Sequence, residues 1–196
     1  MVTSRANRTF FGTLLTTLDR MDNSVTARPA DAADVVFLVD LYRKLETEMS
    51  AIHPMWPRAD GLDEPAEESF LACLRDVDTR VYLGEIDGYP LGFILGRSRT
   101  LLVHEAGVRV AAIRMVFVEQ EARGVGVGEV MRDTLMEEFR RTGHQLFDAH
   151  VLPGHRLAKN FFEAGGFAAR SITMHHSDLG NGGRRIRAHY RPPAEL

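Results

Sequence analysis

The stretch RMVFVEQEARGVGVGEVMRDTL, Arg114–Leu135, decides the fold class of this 196-residue chain. It begins with an apolar run that predicts a buried strand and then passes through charged residues. Glycine follows at positions 124, 126 and 128. A helix pattern comes next, with apolar side chains at i, i+4 spacing: Val127, Met131, Leu135 and Phe139. The stretch therefore predicts a strand, a glycine-rich turn and a helix.

Such a turn has the chemistry of an anion-binding site. The first amides of a helix have no partner inside the helix, and the helix dipole favours negative charge there. Glycine at a helix start is costly, so alternating glycines indicate that the backbone itself contacts a ligand. Without side chains in the way, a diphosphate could reach these amides.

Three other interpretations of the glycine turn compete with a diphosphate-binding site. A P-loop is excluded, because it ends in Gly-Lys-Ser/Thr, whereas this run ends Gly128-Glu129-Val130. A dinucleotide-binding fingerprint needs GxGxxG directly after its strand, and its acidic residue about twenty positions on would be Asp148, inside the next strand. That interpretation and a turn that binds nothing are disfavoured but stay open.

The residues before the stretch predict an extension and then one domain. Residues 9–20 have an amphipathic helix pattern, so we interpret residues 1–23 as an N-terminal helical extension and 24–196 as one domain. The domain opens with a strand and a helix that has Asp31 near its start. A proline-rich loop, Ser50–Pro65, leads to a second helix at 66–77.

The remaining segments complete a mixed α/β order. Residues 80–99 predict two strands joined by a hairpin turn at Asp87-Gly88, and another turn follows at 105–107. After the helix of the opening stretch come a buried strand at 144–152, a helix at 154–165 and a further strand at 166–176.

Composition is that of an ordinary globular protein, with 44% hydrophobic and 26% charged residues. A net charge of −3 gives no electrostatic case for a nucleic-acid partner. The single cysteine, Cys73, excludes an intrachain disulfide. No segment approaches the ~20 apolar residues of a membrane span, so we expect a cytoplasmic protein. The eight histidines show no metal-ligand spacing, so we expect no metal site.

One segment resembles a known family. Val116–Met131 is similar to the acetyl-CoA-binding segment of the GCN5-related N-acetyltransferases (GNAT), written Q/R-x-x-G-x-G/A, with Arg123, Gly126 and Gly128 at its defined positions. Thr26–Leu41 resembles the family's opening strand and helix. The resemblance implies a mostly antiparallel sheet, flanked by helices, whose fourth and fifth strands splay apart to admit acetyl-CoA, the acyl donor.

The last part of the resemblance is a closing block, His155–Phe167, similar to N-x-x-A-x-x-F-Y-x-x-x-G-F. By similarity, the backbone around Phe117 and Val118 would pair with the pantetheine arm and point an amide at the thioester carbonyl. His155 and Phe162 would also contact coenzyme A. The pyrophosphate would lie on consecutive amides, those of Arg123, Gly124, Val125, Gly126, Val127, Gly128 and Glu129.

The positions that handle protons depart from the family's pattern. Phe162 stands at the place of a frequent tyrosine, His155 at that of an asparagine, and Ala112 at that of a frequent glutamate base. Arg114 occupies a second common place for that base. The resemblance therefore predicts the cofactor site but not the catalytic groups.

The candidate bases are His150 and Glu119. His150 lies in the predicted fifth strand and histidine titrates near neutral pH, although a structural histidine is the alternative. Glu119 follows the residue presumed to contact the thioester, although an exposed strand-end carboxylate is its alternative. A water chain to a distant carboxylate is a third route. Trp56, in the loop between the first helices, is a candidate contact for an acceptor with an apolar part or, instead, a core residue.

Together these features predict an acetyl-CoA-dependent N-acetyltransferase that acts on a primary amine of a small molecule or peptide. The alternative is a catalytically silent acyl-CoA-binding sensor or interaction protein, which Phe162 and Ala112 favour. The basic run at 184–191 is interpreted as an edge strand, a homodimer contact, a contact to the adenosine 3′-phosphate or a solvated tail.

Overall fold

The computed structural model describes residues 24–100 and 108–176 as a five-stranded sheet with helices on both faces. The strands are β1 (Val25–Pro29), β2 (Thr79–Ile86), β3 (Tyr89–Thr100), β4 (Arg109–Val118) and β5 (Leu146–Ala149). The α-helices are α1 (Val35–Ile52), α2 (Trp56–Ala59), α3 (Ala66–Arg75), α4 (Val127–Arg141) and α5 (Arg156–Ala164). Short 3₁₀ helices, Ala32–Asp34 and Gln120–Ala122, precede α1 and α4. The predicted α/β class is confirmed.

The strand order follows the chain, β1-β2-β3-β4-β5. The first four strands are antiparallel, and β5 runs parallel to β4. The connection between β2 and β3 turns at Asp87 and Gly88, whose φ angles are 52° and 78°. Positive φ at both central residues is typical of the type I′ hairpin turn, so the predicted hairpin is confirmed.

A capping box begins the first helical segment. The Asp31 carboxylate accepts a hydrogen bond from the Ala33 amide at 2.8 Å, and the Asp34 carboxylate accepts one from the Asp31 amide at 2.9 Å. Arg28 of β1 donates to both Asp34 oxygens at 2.7 and 2.8 Å, which ties this helix start to the sheet. The buried face of α1 then consists of Val35, Leu38, Leu41, Tyr42, Leu45 and Met49.

Two apolar clusters hold the layers together. The helices α1, α2 and α3 cover one face of the sheet, where Phe70 packs edge-on against Tyr42 and Phe93. The helices α4 and α5 cover the other face, where Met131 and Leu135 are fully buried. The sheet is therefore the middle of three layers, and its free edges are where a ligand can reach the main chain.

A bulge interrupts the pairing of β4 with β3. Leu95 pairs with Met115, but the next residue, Gly96, pairs with Ile113, so Arg114 is the extra residue. Bulges re-aim the side chains around them. Met115 accordingly lies in the cluster under α1, whereas Ile113 lies in the cluster under α4.

The fifth strand leaves the sheet just before this bulge. The pairing of β5 with β4 ends at Ile113 and Ala149, and the His150 amide still donates to the Ile113 carbonyl at 3.0 Å. The part of β4 from the bulge to Val118 has no β5 partner. The predicted splay of the fourth and fifth strands is therefore confirmed, and it opens toward the glycine turn.

The strand predicted at 166–176 is wrong. These residues form no strand, and those from 168 onward are exposed to solvent, so they gain neither a ladder nor a buried face. The segment contacts the sheet through Arg170, whose Nε donates to Asp148 of β5 at 2.7 Å. The predictions for residues 1–23, 105–107 and 184–191 concern parts of the chain outside the described residues.

Candidate active site

The glycine turn presents main-chain donors at the open end of the splay. Gly124 and Gly126 have left-handed backbone, with φ of 82° and 99°, and open space where a Cβ would be. Gly126 is the N-cap of α4, and no side chain within the described residues caps this helix. The amides of Val127, Gly128 and Glu129 begin α4, so they have no intrahelical acceptor. These donors and the positive end of the helix dipole favour an anion at the turn.

The glycine at position 128 has a different role from the other two. A Cβ on Gly128 would lie 3.1 Å from Cε2 of the Phe161 ring on α5. Gly128 therefore allows α4 and α5 to pack closely at this point. Gly124 and Gly126 therefore shape the turn, and Gly128 also has a packing role. That the amides of all three glycines serve a ligand stays a prediction.

The Arg123 side chain braces the turn from within the protein. Its Nε donates to the Val118 carbonyl at 2.9 Å, and its Nη2 donates to Glu48 Oε2 at 2.6 Å. Its guanidinium carbon lies 5.6 Å from the centre of the Phe117 ring, a cation–π distance. The Arg123 amide donates to the Gln120 carbonyl at 3.3 Å. The row of available amides therefore begins one residue later than predicted.

Strand parity identifies the main-chain groups that face the splay. The Glu119 amide donates to the Leu91 carbonyl at 2.8 Å, so the groups of Phe117, two residues earlier, also face β3. Val116 and Val118 therefore point their main-chain groups away from β3, into the splay. Val118 was predicted there, whereas Phe117 is 6% exposed and lies in the core. Sequence reasoning missed Val116, which the two-residue period of a strand could have identified.

His155 faces the turn across a carboxylate of α1. Its Nε2 lies 3.6 Å from Glu48 Oε1, while Arg123 holds the other oxygen of the same carboxylate. Burial lowers the pKa of His155 and the Arg123 charge lowers it further, while Glu48 raises it in part. A neutral imidazole can both donate and accept hydrogen bonds, so His155 can serve as a polar contact without adding charge.

Glu48 is a site residue that sequence reasoning missed. It follows Asp40 and Lys44 at i, i+4 spacing, so the three form one charged stripe along α1. In the structure this stripe faces the residues around Arg123. A cavity of about 610 Å³ lies there, and its lining residues are Asp40, Arg43, Lys44, Thr47, Glu48, Gln120 and Arg123. The stripe was the available signal, but a solvated helix face has the same pattern.

Glu119 is held by the same helix. Lys44 Nζ lies 2.5 Å from Glu119 Oε1 and 2.7 Å from Asp40 Oδ2, and both carboxylates raise the pKa of Lys44. A second cavity, of about 660 Å³, lies beside this pair and is lined by Val25, Lys44, Ile86, Leu91, Glu119, Glu121, Ala122 and Val125. Glu119 therefore lies in an ion pair with α1, and its role as a base stays a prediction.

His150 lies at the inner end of the splay, beside charges of both signs. Its Nδ1 is 4.0 Å from Asp60 Oδ1, and Nη2 of Arg114 is 4.0 Å from the same oxygen. Burial lowers the pKa of His150, and Arg114 and Arg99 lower it further, while Asp60 and Asp148 raise it. The neutral imidazole is therefore the main form at neutral pH, and its side chain remains 34% exposed.

The two predicted aromatic contacts lie in the core. Phe162 is 3% exposed, between the rings of Phe161 and Phe167 at 4.9 and 5.3 Å. Trp56 is 5% exposed and lies 6.3 Å from the Tyr42 ring. The structure thus places Trp56 where the core alternative had it, and it leaves the Phe162 ring almost no surface with which to contact coenzyme A.

Other kinds of site find no support in the described part of the chain. Among residues 24–100 and 108–176, no three potential ligand side chains are grouped so that they could hold a metal ion. In those residues no helix is long and apolar enough to cross a membrane. The arrangement consists instead of an anion-binding turn, a strand edge with free main-chain groups, and a titratable imidazole at the end of that edge.

Comparison with known proteins finds one matching family model and solved structures of the same fold. A family model described as "Acetyltransferase (GNAT) family" matches residues 38–167. The aminoglycoside N-acetyltransferase AAC(6')-Iy, solved in complex with CoA, superposes with a TM-score of 0.65 at 15% identity and covers 82% of this chain and 99% of its own. A tetramutant of the BH1408 protein from Bacillus halodurans gives 0.67 at 16% identity, over 77% and 98%. A ribosomal-protein-alanine N-acetyltransferase from Brucella melitensis biovar Abortus 2308 gives 0.59 at 16%, over 79% and 100%. No curated protein matches the sequence.

Proposed function

The chain belongs to the acetyltransferase (GNAT) family, and on this premise we propose that it transfers the acetyl group of acetyl-CoA directly to a primary amine of a small molecule or peptide. One observation carries the proposal: two left-handed glycines and an uncapped helix start lie beside a strand edge that β5 has left. Two of the similar structures are acetyltransferases named for aminoglycosides and for a ribosomal-protein alanine, which both offer amines.

The turn and the strand edge have separate parts in binding the donor. The amides of residues 124–129 offer hydrogen bonds to the diphosphate, and the α4 dipole favours its charge. The main-chain groups of Val116 and the amide of Val118 offer strand-like hydrogen bonds to the pantetheine arm, while the Val118 carbonyl is held by Arg123. An N–H group on this edge would also stabilise the oxyanion that forms when an amine attacks the thioester.

The transfer itself needs a base more than a nucleophile. An ammonium group must lose a proton before its nitrogen attacks the thioester carbon. The N–C bond then forms, the C–S bond breaks, and the thiolate departs with the electron pair and takes up the second proton that the nitrogen loses. His150 is the base in this scheme, because its imidazole is neutral at neutral pH and lies at the splay. Cys73 lies on α3, packed against the apolar cluster under α1, and burial raises the pKa of its thiol, so no acyl-cysteine step is invoked.

One pair of observations favours the silent acyl-CoA sensor instead. Phe162 and Ala112, at positions where the family often has a tyrosine and a glutamate, are 3% and 1% exposed. Neither position presents an acid or a base to a ligand. A protein with the turn intact but without an effective base would bind the thioester and leave it unchanged.

Two measurements on the purified chain test the proposal. Calorimetry compares the binding of acetyl-CoA, NAD and ATP, and a thiol-release assay follows acetyl-CoA with aminoglycosides, polyamines, amino acids and peptide N-termini. We expect binding of acetyl-CoA alone among the three and amine-dependent release of thiol. Binding without release on any amine would favour the sensor. Failure to bind acetyl-CoA, or preference for NAD or ATP, would overturn the assignment of the turn.

A further inference from the structure

We propose that Asp60 and Arg114 are positioning residues for His150: an anion and a cation, brought to one point from separate elements, that set the orientation and charge of the imidazole on the acceptor side of the splay. This inference rests on the proposed function, and it adds two side chains to it. Neither residue would touch the donor; both act through the imidazole.

The three side chains meet where β4 and β5 part. Asp60 directly follows α2, Arg114 is the bulge residue of β4, and His150 is the first residue after β5. The His150 amide still pairs with Ile113, so its backbone is fixed by the sheet while its side chain is beyond the last paired residues. The parting of the strands thus fixes the place of the imidazole, and the bulge places a guanidinium beside it.

The Asp60 carboxylate is close to both His150 and Arg114 but hydrogen-bonded to neither. Asp60 Oδ1 lies 4.0 Å from both His150 Nδ1 and Arg114 Nη2, which is beyond a hydrogen bond. Arg114 Nε is buried and has no hydrogen-bond partner among the described residues. The Asp60 carboxylate is therefore close enough to respond to the charge of the imidazole without being hydrogen-bonded to it. A carboxylate at Nδ1 leaves Nε2 as the nitrogen that accepts a proton.

Charges of both signs act on the imidazole. Arg114 of β4 and Arg99 of β3 oppose its protonation, while Asp60 and Asp148 favour it. Arg99 and Arg170 are both engaged by Asp148, so Asp60 is the carboxylate near His150 that is not already held by two guanidiniums. The proton taken from the acceptor nitrogen therefore enters a site where Asp60 can stabilise the imidazolium, and Arg114 favours release of that proton to solvent afterwards.

The test measures the pKa of His150 directly and then its effect on turnover. The Cε1 resonance of His150 in ¹³C-histidine-labelled protein is titrated in the wild type, in Asp60→Asn and in Arg114→Gln. We expect the pKa to fall in Asp60→Asn and to rise in Arg114→Gln. Asp60→Glu and Arg114→Lys, which keep the charges, should restore values near the wild type. Asp63→Asn, an exposed carboxylate in the same loop, is the matched control and should leave the titration unchanged.

The pH profile of kcat/KM follows the same variants. The wild-type rate should fall as the pH drops through the pKa of His150. The midpoint of this acidic limb should move to lower pH in Asp60→Asn and to higher pH in Arg114→Gln. Asp60→Asn should also lower kcat about tenfold, part of the ~10²–10⁴ that a general base contributes. If the two residues had only a structural role, both variants would lower the rate, but the midpoint of the limb would not move in opposite directions in Asp60→Asn and Arg114→Gln.

Failure of this inference and failure of the proposed function give different results. If no amine is acetylated, the proposed function fails, while the NMR titration still decides whether Asp60 and Arg114 control His150. If amines are acetylated but both variants leave the His150 pKa unchanged, or shift it in the same direction, the positioning role is overturned. Thermal unfolding of each variant identifies any that has lost its fold, and the charge-keeping variants then decide.

Discussion

The glycine turn and the Asp60–Arg114–His150 cluster lie at the two ends of one splay, and they are built in different ways. The turn takes its donors from consecutive main-chain amides at a helix start. The cluster takes its groups from side chains on separate elements. A contiguous main-chain site can be specified by a short stretch of sequence, whereas a side-chain cluster exists only once the sheet has formed.

This difference also predicts how each region responds to substitution. A main-chain site does not depend on particular side chains, so it should be sensitive to changes of backbone conformation or of charge. A side-chain cluster loses its chemistry when one group is removed. Substitutions at the two ends of the splay should therefore differ in whether they change acetyl-CoA affinity or turnover.

The largest effect should follow loss of the imidazole. His150→Ala should lower kcat by about 10²–10⁴, the usual contribution of a general base, and should leave acetyl-CoA affinity unchanged because the turn is distant and made of main chain. Steady-state kinetics and calorimetry measure the two quantities. His175→Ala, an exposed histidine, is the control. An unchanged kcat in His150→Ala would remove His150 as the base.

The next effect concerns charge at the turn. Val125 is 54% exposed between the two left-handed glycines, so Val125→Asp should fold normally while placing a carboxylate beside the diphosphate. At the distances and effective dielectric of a protein surface, acetyl-CoA affinity should fall about tenfold or more. Val125→Asn has nearly the same shape without the charge and should bind like the wild type. Equal affinities for the two variants would place the diphosphate elsewhere.

Local signals explain what the sequence could predict. The strand, turn and helix of residues 114–135, the Asp87-Gly88 hairpin and the helix start at Asp31 each depend on neighbours in the chain. Backbone conformation and capping are local properties, so these elements were predicted correctly. The splay was implied by resemblance, and the pairing of β5 bears it out.

Tertiary packing explains what the sequence could not predict. Phe162 and Trp56 have the aromatic character of ligand contacts, but burial places them in the core. Glu48 and Asp60 look like solvated charges until the fold turns them toward Arg123 and His150. The strand expected at 166–176 has suitable residues, but it gains no ladder in the described structure. Each depends on contacts between residues far apart in sequence.

Smaller effects are expected on folding stability, where Gly126 and Gly128 should be sensitive to substitution for different reasons. Gly126 has φ of 99°, so Gly126→Ala should cost about 1–2 kcal/mol of folding free energy through backbone strain. Loss of coenzyme A binding in a bulkier Gly126 variant therefore cannot be interpreted without this stability measurement. Thermal and urea unfolding of the alanine variant provide it. A Gly126→Ala variant as stable as the wild type would contradict the left-handed assignment.

Gly128→Ala should be destabilising for a different reason. Its Cβ would lie 3.1 Å from the Phe161 ring, and overpacking of this kind costs about 1 kcal/mol or somewhat more. Phe161→Leu removes the ring atoms involved, so the alanine at 128 should cost less in that background. A double-mutant cycle measured by urea unfolding gives the coupling. The same cycle with Gly126→Ala should show none, because no Phe161 atom lies near it.

The smallest effect is expected on acetyl-CoA affinity in Glu48→Gln, a variant that tests whether main-chain groups alone hold the donor. Glu48→Gln weakens the brace on Arg123 and removes the carboxylate beside His155, so the pKa of His155 should fall, as an NMR titration can show. Arg123 would keep its hydrogen bond to Val118. Because a partly exposed ion pair contributes at most about 1 kcal/mol, the dissociation constant of acetyl-CoA should change by less than about fivefold. Thr47→Ala, next to it on α1, is the control. A tenfold or larger loss in Glu48→Gln would show that side chains hold the donor, and the contrast between the two ends of the splay would no longer stand.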